Sequence, residues 1–309
     1  MPQSITLERL GFQPTDRVVI LHADDIGMCH ATLPAFENLL DANLTSSYAI
    51  MTPCPWAGAA LEIARQAGAD VGVHVTLTSE WQHYRWKPLS TPDRQSGLFD
   101  AVGFFPRDCD EIGTHASEAA ARLEMAAQFQ FFADRGVNPS HMDTHMGSSF
   151  HPNLLRTYVD TALEHGVPAL FPNPEILFSW MGHASYERAV SLAPLLIERG
   201  FPTIDHVVGM PLSNDPKSRD DEFEVRLETA RMTLEKLQPG VTHFAFHPSV
   251  DTLELRAICP DWRSRVGDER VFRSRELREF LHGQGIHVIG YQPLKALIPA
   301  RSSSSNPMR

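Results

Sequence analysis

Four short stretches of this sequence set carboxylates or imidazoles at the end of an apolar run: HADDIG (22–27), VGVHVTLTSEW (71–81), SHMDTHMG (140–147) and HFAFHPSVD (243–251). In the first, Asp24 and Asp25 stand side by side before Gly27. A carboxylate at the C-terminal end of a strand is placed for metal binding or general-base work in a barrel enzyme, although Asp-Asp-x-Gly also serves as a turn or helix cap. Neighbouring strand residues point to opposite faces, so both acids reach one site only if the backbone turns there. Gly27 is compatible with such a turn.

In the second stretch, period-two alternation sets His74, Thr76 and Thr78 against Val73, Val75 and Leu77. A histidine inside an apolar strand is costly to bury without a partner, which leaves His74 as either a hydrogen-bonded core residue or a ligand. The third stretch is the strongest signal. His141, Asp143 and His145 fall on one side if the strand persists, and two imidazoles with a carboxylate in five residues is a metal-type donor set. In the fourth, His243 and His247 are alternatives, and the strand-end position before Pro248 favours His247.

Positioning these groups requires strands that end together. β-branched runs at Arg17–Ala23, Ser46–Met51, Val71–Leu77, Ser140–Asp143, Val241–Phe246 and Ile286–Ile289 read as strands. Helical patterns occupy Ala31–Asp41, Trp56–Ala67, Ser117–Arg135, Pro152–His165, Ala189–Glu198, Asp220–Leu237 and Arg275–His282. The clearest spans 117–135, with Ala120, Leu123, Ala127, Phe131 and Phe132 expected to face the core. Alternating strands and helices imply an α/β fold: parallel strands with outer helices in a (β/α) barrel-like arrangement. In such a barrel every strand delivers its C-terminal end to one mouth.

One catalytic domain over 1–300 is expected, with loop insertions near 79–114 and 168–184 and a polar stretch near 213–222. Trp81, Tyr84 and Trp86 in the first insertion suit either sugar stacking or loop packing. The tail 301–309, RSSSSNPMR, is expected to be disordered. With 27 Lys and Arg against 38 Asp and Glu, the 309-residue chain carries a formal charge of −11 and no basic cluster, which argues against nucleic acid. No apolar run of membrane-spanning length and no leader pattern occurs. The four cysteines, Cys29, Cys54, Cys109 and Cys259, form no CxxC pair and read as reduced thiols of a cytoplasmic protein.

Taken together, His22-Ala23-Asp24-Asp25-Ile26-Gly27, Gly72-Val73-His74-Val75-Thr76-Leu77-Thr78 and Asp143-Thr144-His145 resemble the ADD-G, GxHxxLT and DxH motifs of the YdjC-like carbohydrate deacetylases (ChbG and hopanoid-associated types), in the family's order. The resemblance runs from Arg17 through His247-Pro248 to Tyr291. It implies one divalent ion held by Asp25, His74 and His145, with zinc or magnesium first and manganese, iron or cobalt also compatible. It further implies Asp24 as general base, His247 as general acid, and an N-acetylated amino sugar or oligosaccharide as the small-molecule substrate. His141 is the fallback ligand, because an HxxxH spacing to His145 is used by the more distant NodB-type deacetylases. Two departures stand out: Met146 and Gly147 follow His145 where many members continue a histidine run, and ADDIG replaces ADDFG.

Two other classes use similar residues. A metal-dependent phosphoesterase or sugar isomerase on a related barrel adds Lys or Arg for phosphate, or further carboxylates for a second metal, and none is expected to lie beside these motifs. A non-catalytic sugar-binding relative has no need of the spare acid Asp24. The oligomeric state is left open, with a homo-oligomer as one option.

Overall fold

The computed structural model describes residues 4–173 and 182–300. Seven strands form one sheet: β1 Arg17–Ile26, β2 Ser47–Ile50, β3 Val71–Val75, β4 Met142–Thr144, β5 His206–Gly209, β6 Gly240–Phe246 and β7 Ile286–Val288. All pairings are parallel, in the order β4-β3-β2-β1-β6-β5, with β7 beside the start of β1. The gap between β4 and β5 is crossed by single bridges, Met142 to Ala169 and Pro172 to Ile204. The strands thus curl into a barrel-like ring with outer helices, as the alternating pattern implied.

Long β1, apolar from Val18 to Leu21 and polar toward its C-terminal end, is the hub. Val18 through Leu21 are wholly buried, the near-continuous hydrophobic run expected of a parallel strand covered on both faces. It pairs with β6 over Arg17–Ala23 and with β2 beyond His22, where the register shifts between Ala23 and Ile26. The two acids sit in that irregularity.

Most expected elements are present with shorter ends. The helix expected from Ala189 begins at His183, and the 168–184 insertion lies partly outside the described residues, as does the 301–309 tail. The sequence reading has no counterpart for β5 or for the helices Ile5–Arg9, Cys109–His115, Leu253–Ile258, Trp262–Phe272 and Gln292–Ala296. Their segments are short or highly polar, so no clear apolar period marks them.

The helix Glu118–Ala133 corrects the expected face. Leu123 is 62% exposed, while Glu124 and Gln128 are fully buried with Ala121, Met125 and Phe132. The reason lies in the loop outside the barrel. Glu124 accepts from the backbone N–H groups of Leu89 and Ser90, and Gln128 both accepts from Thr76 N–H and donates to Thr76 carbonyl. Buried polar side chains here satisfy the backbone of the strand end at Thr76 and of the excursion that follows it.

Inside the ring, polar side chains replace the usual aliphatic filling. His141 stacks on Tyr291 with ring centroids 4.0 Å apart, and His22 meets His243 at 4.5 Å. Gly72 of β3 makes room for this layer, since a Cβ there would lie 2.4 Å from His141 Nε2. The ring is confined by Tyr291. Gly72→Ala is therefore expected to lower stability by about 1–3 kcal/mol, the range for overpacking, measured by denaturant unfolding; parental stability would show that the layer repacks freely.

Candidate functional site

The C-terminal ends of β1, β3, β4 and β6 converge, and they bring Asp24, Asp25, His74, His145 and His247 to one mouth. Asp25 adopts φ 61° and Gly27 φ 85°. A left-handed aspartate is uncommon and mildly strained, and here it turns two consecutive carboxylates toward the same space. Gly27 is needed as glycine because a Cβ would lie 2.9 Å from the Ala57 backbone.

Asp25 is 2% exposed. Its Oδ1 is 3.1 Å from His145 Nδ1 and 3.4 Å from His74 Nε2, and its Oδ2 accepts from Arg265 at 2.8 Å. Asp25, His74 and His145 each offer a donor atom, all within 4.8 Å of one another. Burial alone would raise the Asp25 pKa, but His145 and Arg265 outweigh it and hold the carboxyl well below its ordinary value.

The imidazoles respond in the opposite sense. Burial opposes charge on His145, yet Glu80 and Asp25 push its pKa up to about 9; burial is likewise outweighed at His74, raised by Asp143. The carboxylates thus draw positive charge into this spot, which is the charge a divalent ion carries. Two imidazoles and one carboxylate form a donor set suited to catalytic zinc, so these residues fit the implied ion.

Asp24 is the counterpart. Burial pushes its pKa up to about 7 against the pull of His22 and His74, with Asp143 and Asp25 adding to the rise. Its Oδ1 lies 3.2 Å from His22 Nε2 at an ion-pair distance without hydrogen-bond alignment, and its Oδ2 lies 3.8 Å from His247 Nε2. His247 follows β6, its backbone N–H held by Asp268 at 3.1 Å, and burial pushes its pKa down to about 4.

His141 is not brought to the mouth. It lies one layer deeper, bonded to Ser140 Oγ at 2.7 Å and stacked on Tyr291, because β4 ends at Thr144 and His145 opens a separate 3-10 segment. Asp143 also points inward, to His74 and His22. The departure after His145 coincides with a backbone reversal, Met146 at φ 55° and Gly147 at φ 69°.

Three neighbours escaped the sequence reading. His22 shares the β1 face of Asp24 by period two, and Glu80, whose Oε2 is 3.1 Å from His145 Nε2, continues the alternation 74, 76, 78; both were legible in principle. Arg265 was not. It comes from the polar helix Trp262–Phe272 and is clamped by Asp25 and by Asp261 at 3.1 Å, correcting the expectation that no arginine adjoins the motifs. Of the aromatic excursion, Trp86 is 3% exposed and donates to Thr78 carbonyl, and Tyr84 donates to Met28 carbonyl. Those two are packing residues.

A pH dependence follows. His145 has a folded pKa raised above its ordinary value, so it stabilises the metal-free fold fully below about pH 6.5, and that contribution is lost as pH rises toward 9. In chelator-treated protein, thermal stability should fall across this window, by an amount on the order of 3 kcal/mol, and the fall should shrink in His145→Gln. An equal fall in both proteins would assign the titration elsewhere.

A model of YdjC-like proteins matches residues 18–283. A carbohydrate deacetylase of Thermus thermophilus is 31% identical over 277 residues, 89% of this chain and 93% of that one. Another, of Thermoanaerobacter pseudethanolicus, is 23% identical over 90% of this chain and all of its own length. An Enterococcus faecalis crystal structure, provisionally described as a cellobiose-phosphate cleavage protein, superposes with a TM-score of 0.70 at 20% identity, covering 91% of this chain and 99% of that one, which speaks for the fold. Among the described residues no helix is long and apolar enough to cross a membrane. With its strand-end motifs gathered at one barrel mouth and the family match running over most of its length, this chain belongs to the YdjC-like family.

Proposed function

We infer that this chain is a metal-dependent carbohydrate deacetylase that removes the acetyl group from an N-acetylated amino sugar or oligosaccharide. The observation that carries the reading is the convergence of Asp25, His74 and His145 around one point with a second acid, Asp24, beside them. The relatives named carbohydrate deacetylases support the reaction class. A divalent ion held by Asp25, His74 and His145 would polarise the acetyl carbonyl and acidify water near neutral pH. Asp24, with a pKa pushed up to about 7 by burial, is tuned to take a proton from the attacking water.

His247 is assigned to the departing amine. With its pKa near 4 the ring is neutral at neutral pH, so it can protonate the amine only after gaining a proton. Asp24, 3.8 Å from Nε2, is the neighbour able to supply one. Water's proton therefore moves to Asp24, and onward through His247 to the leaving nitrogen. The phosphoesterase and isomerase alternatives gain nothing from Arg265, because its guanidinium is committed to Asp25 and Asp261.

The deciding experiment is acetate release from a panel of N-acetylated sugars by metal-stripped and metal-restored protein. Activity should vanish and return, and failure with every acetylated sugar after restoration overturns the reading. His145→Ala should lose most of the ion, whereas Asp24→Asn should keep it and lose turnover by roughly 10²–10⁴-fold. Loss of both ion and turnover in Asp24→Asn would instead make Asp24 a ligand. His247→Ala should retain the ion and substrate affinity while amide cleavage falls, with an activated ester falling less. Equal losses on amide and ester, together with a lower melting temperature, would reduce His247 to ordering its turn.

A further inference from the structure

Next to the Asp25 cluster lies a second buried polar group: His22, Asp24, Asp143 and His243, with donor atoms within 4.8 Å of one another. Hydrogen bonds run within the group and from it to His74 and Tyr291. His22 Nε2 is 2.9 Å from Asp143 Oδ2, His74 Nδ1 is 2.8 Å from Asp143 Oδ1, and His243 Nδ1 is 2.8 Å from the Tyr291 hydroxyl. Asp143 thus uses both oxygens on two imidazoles. It is 1% exposed, and His74 and Asp143 are register partners on adjacent strands, so backbone pairing fixes their approach.

We propose that Asp143 and His22 are positioning residues: Asp143 holds His74 Nδ1–H so that Nε2 faces Asp25 and the ion, and carries His22 on its other oxygen to back Asp24. The proposal rests on the metal-centre reading above. Its physical basis is that a ligating imidazole with two equivalent-looking nitrogens needs its outer N–H engaged to present the other lone pair, and a carboxylate in that position also raises ligand basicity. Of the four polar atoms that Asp24 and Asp143 present, three lie within 3.2 Å of a histidine nitrogen. Hydrogen bonds from His74 through Asp143 to His22, followed by the 3.2 Å ion-pair approach of His22 to Asp24, therefore tie the ion's ligand to the proposed base. One residue holds both halves of the site in register.

The test is zinc titration of metal-stripped protein against a chromogenic chelator, reading affinity and stoichiometry. The parent is expected to bind one ion, and Asp143→Asn to bind it about 10–100-fold more weakly, the usual cost of losing such a partner. His22→Asn leaves the Asp143–His74 contact in place; it should lose little affinity and instead lower kcat at unchanged KM. A merely structural role would lower thermal stability in both variants and leave zinc affinity at the parent value, which overturns the proposal. Two ions per parent chain, with one lost in His243→Asn, also overturns it by making the second group a metal site. A second measurement needs neither variant nor ion: in isotope-labelled, metal-free parent protein, a slowly exchanging downfield His74 Hδ1 proton should appear in NMR spectra, and its absence refutes the Asp143 contact. If the parent binds no ion, the metal-centre reading falls, and this proton alone decides the Asp143–His74 pairing.

Discussion

Three carboxylates, Asp24 and Asp25 at the barrel mouth and Asp143 beneath it, are buried close together, and the rest of the site is arranged around keeping that negative charge tolerable. An isolated ionised carboxylate cannot be desolvated without a partner. Each acid meets the constraint differently. Asp25 takes a guanidinium and two imidazoles, Asp143 divides its oxygens between two more imidazole contacts, and Asp24 keeps the weakest support and so holds its proton most readily. The graded solution separates a permanently ionised acid from one that titrates near neutrality, which is the division of labour that acid–base chemistry requires.

The same logic extends outward. Glu80 reaches His145 from an excursion that is fastened to the barrel by polar bonds: Glu124 on the outer helix holds its backbone at Leu89 and Ser90, Gln128 holds the strand end at Thr76 from which it departs, and Arg85 bonds Asp100 and Ser79. A loop pinned at both its side chains and its main chain loses the freedom that loops of this length usually keep.

Much of this was legible before the fold was known. Strand-end placement of Asp24, Asp25, His74 and His247 follows from apolar runs that stop at polar residues, and the shared mouth follows from parallel topology. What failed to show had physical causes. His141 and Asp143 look like ligands beside His145 when the strand is assumed to persist, but β4 stops at Thr144 and the two side chains turn into the barrel. On helix 118–133, Leu123 reads as core and Glu124 as surface, yet their places are reversed because an unpaired loop backbone outside competes for the buried face. Arg265 gave no sign, since the arginine-rich DWRSRVGDERVF carries no apolar period.

That last residue carries a consequence for transplantation and for descent. The four strand-end motifs resemble a portable cassette, but Asp25 is neutralised in part by a guanidinium from a helix more than two hundred residues away in sequence. Moving the cassette onto another barrel without helix 262–272 would import a buried anion lacking its cation, at a penalty of about 3–5 kcal/mol for one broken buried pair. Recombination with a relative that carries no cation at the place of Arg265, with a crossover between β6 and that helix, would face the same charge mismatch, so Asp25 and the helix that neutralises it are constrained to travel together.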